Sequence, residues 1–156
     1  MSRYINAKLV SAITAFAVGA LYLDRQVTSL ADRSVVPAAP LLADQIQIGV
    51  IPAGCVLVPQ LSTVQVARFD TNGTSLGKYK IGTADTIDAI ATEQIGAAAV
   101  TVRGNALVIG ATPIGSPTDD TPIYLTVSVA PATFAGTGAV VLDLVMRAWV
   151  DSIDGT

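Results

Sequence analysis

Carboxylates are the main chemical resource of this chain: Asp and Glu number 12, with Glu93 the single glutamate. Three pairs, Asp85 with Asp88, Asp119 with Asp120 and Asp151 with Asp154, are spaced so that each could offer two oxygens to a cation or act as an acid/base couple. All six lie in turn-like stretches or at the end of the sequence, where Asp is favoured because its side chain bonds nearby backbone. Asp70-Thr-Asn72-Gly73 has the start of a calcium loop, but Ile81 stands where the bidentate Glu belongs. The same residues suit a hairpin turn better. Asn72-Gly-Thr74 is also a formal glycosylation sequon, relevant only in a eukaryotic secretory setting.

Other chemistries fail on residue type. The chain has no histidine, which removes Ser-His-Asp and Cys-His catalysis and imidazole metal sites. Cys55 is the one cysteine and sits among apolar neighbours, so it reads as a buried thiol rather than a nucleophile or half of an intrachain disulfide. Gly77-Lys78-Tyr79 is no phosphate loop, because Asn72 replaces the first glycine and Tyr79 the Ser or Thr. Gly136-Thr-Gly138 opens a strand-like run and lacks a third glycine, so it is no dinucleotide fingerprint. No catalytic, cofactor or metal site is predicted.

The elements that would position any site are strands. Within 156 residues, hydrophobic types reach 51% and charged types only 13%, with 13 Gly and 8 Pro. Ala, Val, Ile and Thr outweigh the Glu, Lys and Leu of soluble helices, which favours sheets joined by tight turns. The net charge of -3 argues against a general nucleic-acid surface.

Alternation then marks the strands. Ile46, Ile48 and Val50 alternate with Gln45, Gln47 and Gly49, as in a half-buried strand. Residues 55–69 read as one broken or two short strands, with Pro59 pointing to an edge or bulge. Tyr79 and Ile81 share a face opposite Lys78 and Lys80. Residues 98–111 suggest a hairpin turning at Gly104-Asn105, with Ala98, Val100 and Val102 on one face. The stretch 111–122, with three prolines and Asp119-Asp120, reads as an exposed loop. Ile123, Leu125, Val127 and Val129 point inward from the next strand, and Tyr124, Thr126 and Ser128 outward. The longest strand presents Val140, Leu142, Leu144, Met146, Ala148 and Val150 to the core, with Asp143 and Arg147 opposite. Residues 85–97 are the ambiguous stretch, where Ile87, Ile90 and Ala91 could form a turn of helix opened by Asp85.

About eight strands at short spacing, without βα alternation, predict an all-β fold: a β-sandwich, jelly roll or related barrel. The predicted division is an N-terminal arm and Pro-containing linker over 1–43, followed by the β-sandwich domain over 44–156. Residues 8–23 are apolar after Arg3 and Lys8, shorter than a comfortable membrane span and signal-like in pattern. The preferred expectation is an arm or short helix buried against protein; a membrane anchor and a processed signal are the alternatives. Ala12, Ala15, Phe16, Gly19 and Leu23 fit one helical face, although the other face is scarcely polar and a strand remains open.

Residues 43–70, ADQIQIGVIPAGCVLVPQLSTVQVARFD, resemble small structural proteins of tailed bacteriophages encoded near the major capsid protein. The shared features are a strand leading into an Ile/Leu-Pro-Ala-Gly turn, here 51–54, and then an apolar strand. Gly82-Thr-Ala-Asp85 and the ending TGAVVLDLVMRAWVD add to the likeness, which bears little on the first 40 or so residues. The resemblance implies a capsid decoration, or cement, protein: a β-sandwich or jelly-roll-like chain, often trimeric, on the outside of the head. Its implied partners are the major capsid protein and further copies of itself, with no cofactor, nucleic acid or membrane. Leu9, Ile13, Phe16, Leu21 and Tyr22 are the expected partner contacts. A fibre or host-recognition module would share the β-rich composition but expose more aromatics than the 5% here. A membrane-anchored β-domain is the other alternative, and an enzyme the weakest, for want of a nucleophile, base and oxyanion site together.

Overall fold

The computed structural model describes residues 1–6, 9, 20–72, 76–103 and 113–149. The strands, in chain order, are β1 (Arg3–Tyr4), β2 (Leu21–Ser29), β3 (Gln45–Ile51), β4 (Cys55–Leu57), β5 (Thr63–Val66), β6 (Lys78–Gly82), β7 (Ala91–Ile95), β8 (Val100–Arg103), β9 (Gly115–Ser116), β10 (Thr121–Val129) and β11 (Ala139–Ala148). They form two sheets. The first runs β1-β3-β10-β6-β7. The second is built on β11: β2 pairs with it from Ala139↔Ser29 to Arg147↔Leu21, while β5 and β4 divide its other edge between Val140–Asp143 and Met146–Ala148. β8 and β9 extend that side.

The chain is therefore an all-β sandwich, as its alternation predicts. Ile46, Ile48, Ile81, Ile123, Leu125 and Val127 from one sheet meet Val64, Val66, Val140, Leu142, Leu144 and Met146 from the other in one core. The two best-patterned segments, β10 and β11, supply its centre because every second residue on each is a large aliphatic. Phe69 closes one end, edge-on to both Tyr79 (5.5 Å) and Phe134 (5.2 Å).

Several local expectations change. Val129 is exposed rather than inward, because the register shifts between Val127 and Val129 and the irregularity breaks the alternation. Residues 85–97 hold no helix: Ala89 N–H donates to Thr86 C=O in a turn, and β7 follows. Pro59 opens a one-turn 3-10 helix, Pro59–Leu61, that separates β4 from β5. The loop 111–122 contains β9, and the expected turn at Gly104-Asn105 lies outside the described residues, as does Val150. Residues 3–4 and 21–29, read from sequence as arm and linker, pair with β3 and β11. Val35, Val36 and Pro40 of the Pro-containing stretch are buried.

β3 departs most from its pattern. All seven residues are buried, not one face alone. β1 covers its free edge only at Gln45 and Ile46. Beyond that point β3 needs another source of hydrogen bonds, and β2 provides it.

Candidate interaction face

β2 reads LYLDRQVTS and is inverted relative to an ordinary half-buried strand: Asp24, Gln26 and Thr28 are buried while Leu21, Leu23 and Val27 are 57%, 68% and 54% exposed. The inward polar residues explain this. Gln26 Nε2 donates to Val50 C=O and Val50 N–H donates to Gln26 Oε1, both at 2.7 Å, so one side-chain amide mimics a strand neighbour. Val50 stands opposite Pro122 on β10, and its N–H and C=O both face β2 rather than that strand. Thr28 Oγ1 donates to Ile48 C=O at 3.3 Å and accepts from Asn6 Nδ2 at 3.2 Å; Asn6 N–H in turn donates to Gln47 Oε1 at 3.1 Å. A buried backbone group left without a partner costs about 1–3 kcal/mol, so these side chains are held inward. Gly49 makes room, since a Cβ there would collide with Leu142 Cδ1.

With period two, polar residues inward force apolar ones outward. Leu23 lies beside Val145 and Val27 beside Val141 on β11, and both β11 residues are half-buried. Between these pairs Arg25 Nε donates to Asp143 Oδ1 at 2.6 Å and Nη2 to Oδ2 at 3.0 Å. That forked bond, with the charge attraction behind it, raises the Arg25 pKa further. The result is an aliphatic face whose central charges cancel, with Arg147 beside Leu21 at one end.

Of the five residues expected to touch a partner, Leu21 and Tyr22 lie on β2, the first exposed and the second half-buried. Leu9 is half-buried and donates to Asn6 C=O; Ile13 and Phe16 lie outside the described residues. The sequence reading does not single out Val27, Val141 and Val145 as outward residues, and it fits Leu23 to one helical face with a strand left open. The signal that finds them is the alternation of 23–28 itself, provided the polar set is assigned to the interior.

Cys55 is buried, and its burial pushes the thiol pKa up to about 11, which leaves almost no thiolate at neutral pH. Among the described residues no group of three His, Cys, Asp or Glu could hold a metal ion, and no helix is long and apolar enough to cross a membrane. Asp120 Oδ1 accepts from Ala53 N–H, and Asp88 faces Lys80 at 3.7 Å, so those carboxylates serve the fold. Asp151 and Asp154 lie outside the described residues.

No protein-family model matches this chain, and no curated protein matches it. Its fold is shared with two solved structures. A chain of the capsid of Ralstonia phage GP4 superposes with a TM-score of 0.68 at 18% identity, over 93% of this chain and 94% of that one. A chain of the cyanophage Pam1 capsid asymmetric unit gives 0.58 at 15% identity, over 93% and 98%. At these identities the likeness defines the class of fold, a β-sandwich shared over 93% of this chain with chains from phage capsids.

Proposed function

We propose that the protein is a structural virion component with no catalytic role: a decoration, or cement, protein on the outer surface of a tailed-phage head. It binds the major capsid protein there, acts as a homo-oligomer, with a trimer the expected state, and stabilises contacts between capsid subunits. The observation that carries this reading is the fold likeness, over 93% of this chain, to chains of two phage capsids, since nearly the full length of each neighbour is accounted for. The exposed face of β2 and β11 adds a place for contact: Leu21, Leu23 and Val27 stand in water in the isolated chain. Burying one such side chain in an interface contributes about 1–2 kcal/mol, so the three contribute to assembly alongside the rest of an interface that must offset the entropy lost on association. Leu9, Ile13, Phe16 and Tyr22, which precede or begin β2, extend this contact set.

The test is the copy number and position of the protein in purified particles. Copies at every equivalent lattice position on the outside of the head support a cement role. A few copies at one vertex assign the chain to a tail or head fibre instead, and presence on the inner wall removes the outer-surface reading.

A further inference from the structure

Two connections cross between the sheets at the same end of the sandwich, because Val66 pairs with Val140 and Lys78 with Val129. One runs from β5 to β6, the other from β10 to β11. Asp70 sits between them with no exposed surface, yet it is a carboxylate. Its Oδ1 accepts from Asn72 N–H (2.9 Å) and Thr133 N–H (3.2 Å), and its Oδ2 from Gly77 N–H (2.7 Å) and Ala132 N–H (3.1 Å). Thus each oxygen takes one donor from its own connection and one from the other. The backbone follows the same seam: Thr71 N–H donates to Thr133 C=O, Ala135 N–H to Phe69 C=O, and Asp70 N–H to Gly96 C=O.

We propose that Asp70 is an acid-sensitive lock, which holds the two connections together while ionised and releases residues 131–135 on protonation before either sheet opens. Four donors require acceptors on both oxygens. A protonated acid offers an O–H on one of them and so sets a donor against two N–H groups. The charged and titratable groups around the lock are few. Arg68 donates from Nε to Asp70 C=O and from Nη2 to Thr71 C=O. Arg33 lies over the Phe134 ring, and Lys78, next to Gly77, is paired with Glu93. Tyr79, against Phe69, is buried, which pushes its phenol up and out of the acid range. Glu93 reports separately through β7.

The sign follows from the balance at Asp70. Burial raises its pKa, the four backbone N–H bonds lower it by more, and the net value falls below the ordinary one. The contribution of the lock is therefore complete above the ordinary Asp pKa of about 4 and is lost as pH falls through the lowered folded value.

Amide hydrogen exchange on the full chain tests this, read as protection factors from neutral pH into acid until the Asp70 carboxyl is protonated. The expected result is a fall of about tenfold or more at Gly77, Ala132 and Thr133 in acid, with Leu125 and Leu144 keeping their protection. Asp70→Asn places an amide N–H₂ where the acid would carry its proton, so it should show the same local loss at neutral pH and no further change there on acidification. Loss of protection at Leu125 and Leu144 together with the loop amides would overturn the lock in favour of an ordinary core contact. Full protection in Asp70→Asn, or failure of that variant to fold while the wild-type amides hold in acid, would overturn it as well.

Discussion

The two sheets turn very different outer faces to their surroundings. On the β6 and β7 side, Lys78 meets Glu93 at 3.1 Å and Lys80 meets Asp88 at 3.7 Å, with Arg3 stacked 5.3 Å from the Tyr124 ring centroid on the far side of β10. Ile95 and Val129 are the exposed aliphatics at one end of that sheet. On the β2 and β11 side the order is reversed: aliphatic residues stand outside, and the polar residues of β2 are inside. Both faces come from strands of the same period. What differs is the task of the inward side chains. β6 faces a filled hydrocarbon core, so Tyr79 and Ile81 go in and lysines out. β2 faces the uncovered backbone of β3, so Gln26 and Thr28 go in and Leu23 and Val27 out. An apolar surface here is the consequence of a hydrogen-bonding requirement one layer down.

That causal claim is open to a direct break. Gln26→Ala removes both bonds to Val50 and the bond to Asp24 Oδ2 (3.0 Å) without touching the outer face. Two buried backbone groups are left unpaired, so the expected loss of stability is about 3 kcal/mol, read from the midpoint of urea denaturation at constant slope. A loss below about 1 kcal/mol would mean that β3 does not depend on β2 and that the inversion has another cause.

The same contrast explains what was legible in the sequence. β6 and β11 are legible because their alternation and their burial agree: Leu142 and Leu144 are both apolar and inside, whereas β10 also buries Tyr124 and Thr126 of its expected outward face. β2 is not, because residues 1–43 read as an arm and linker, and only the position of β3 reveals that Gln26 belongs inside. Asp70 shows a second kind of blindness. Its bond to Asn72 N–H is the local turn chemistry that sequence predicts, but those to Ala132 and Thr133 span more than 60 positions and leave no local trace. Val129 fails for a third reason, since a single irregularity in the register re-aims a side chain without altering the pattern before it.

A functional difference between the faces follows, with a smaller expected effect. Leu23→Lys or Val27→Lys places a charge in the middle of the aliphatic face, where the side chain is already in water, so the stability of the isolated chain should stay within about 0.5 kcal/mol of wild type. Incorporation into particles, measured by quantitative gel analysis after competition with the wild-type chain, should fall about tenfold or more. Lys80→Gln, on the opposite face, should leave incorporation unchanged. If Lys80→Gln were the damaging change and Leu23→Lys harmless, the contact would belong to the charged face and the proposed orientation on the head would be reversed.

The smallest effect is expected at the centre of the apolar face. Arg25 is largely solvent-exposed and Asp143 mostly covered, and the pair lies on the outer side of the sheet with the guanidinium open to water. Exposed pairs of this kind are screened and lose side-chain freedom to hold their geometry. Exchanging them, Arg25→Asp with Asp143→Arg, retains opposite charges across the same register position, so thermal stability should match wild type and incorporation should be unaffected. The exchange separates two ways in which a partner can read this surface. A partner that presents only aliphatic side chains needs the charges to cancel and is indifferent to their order. A partner with its own carboxylate aimed at Arg25 loses an attraction and gains a repulsion, and incorporation then falls although Leu21, Leu23 and Val27 are untouched. Unchanged incorporation in the exchanged variant, combined with failure of Leu23→Lys, therefore identifies burial of aliphatic surface as the force that holds this face.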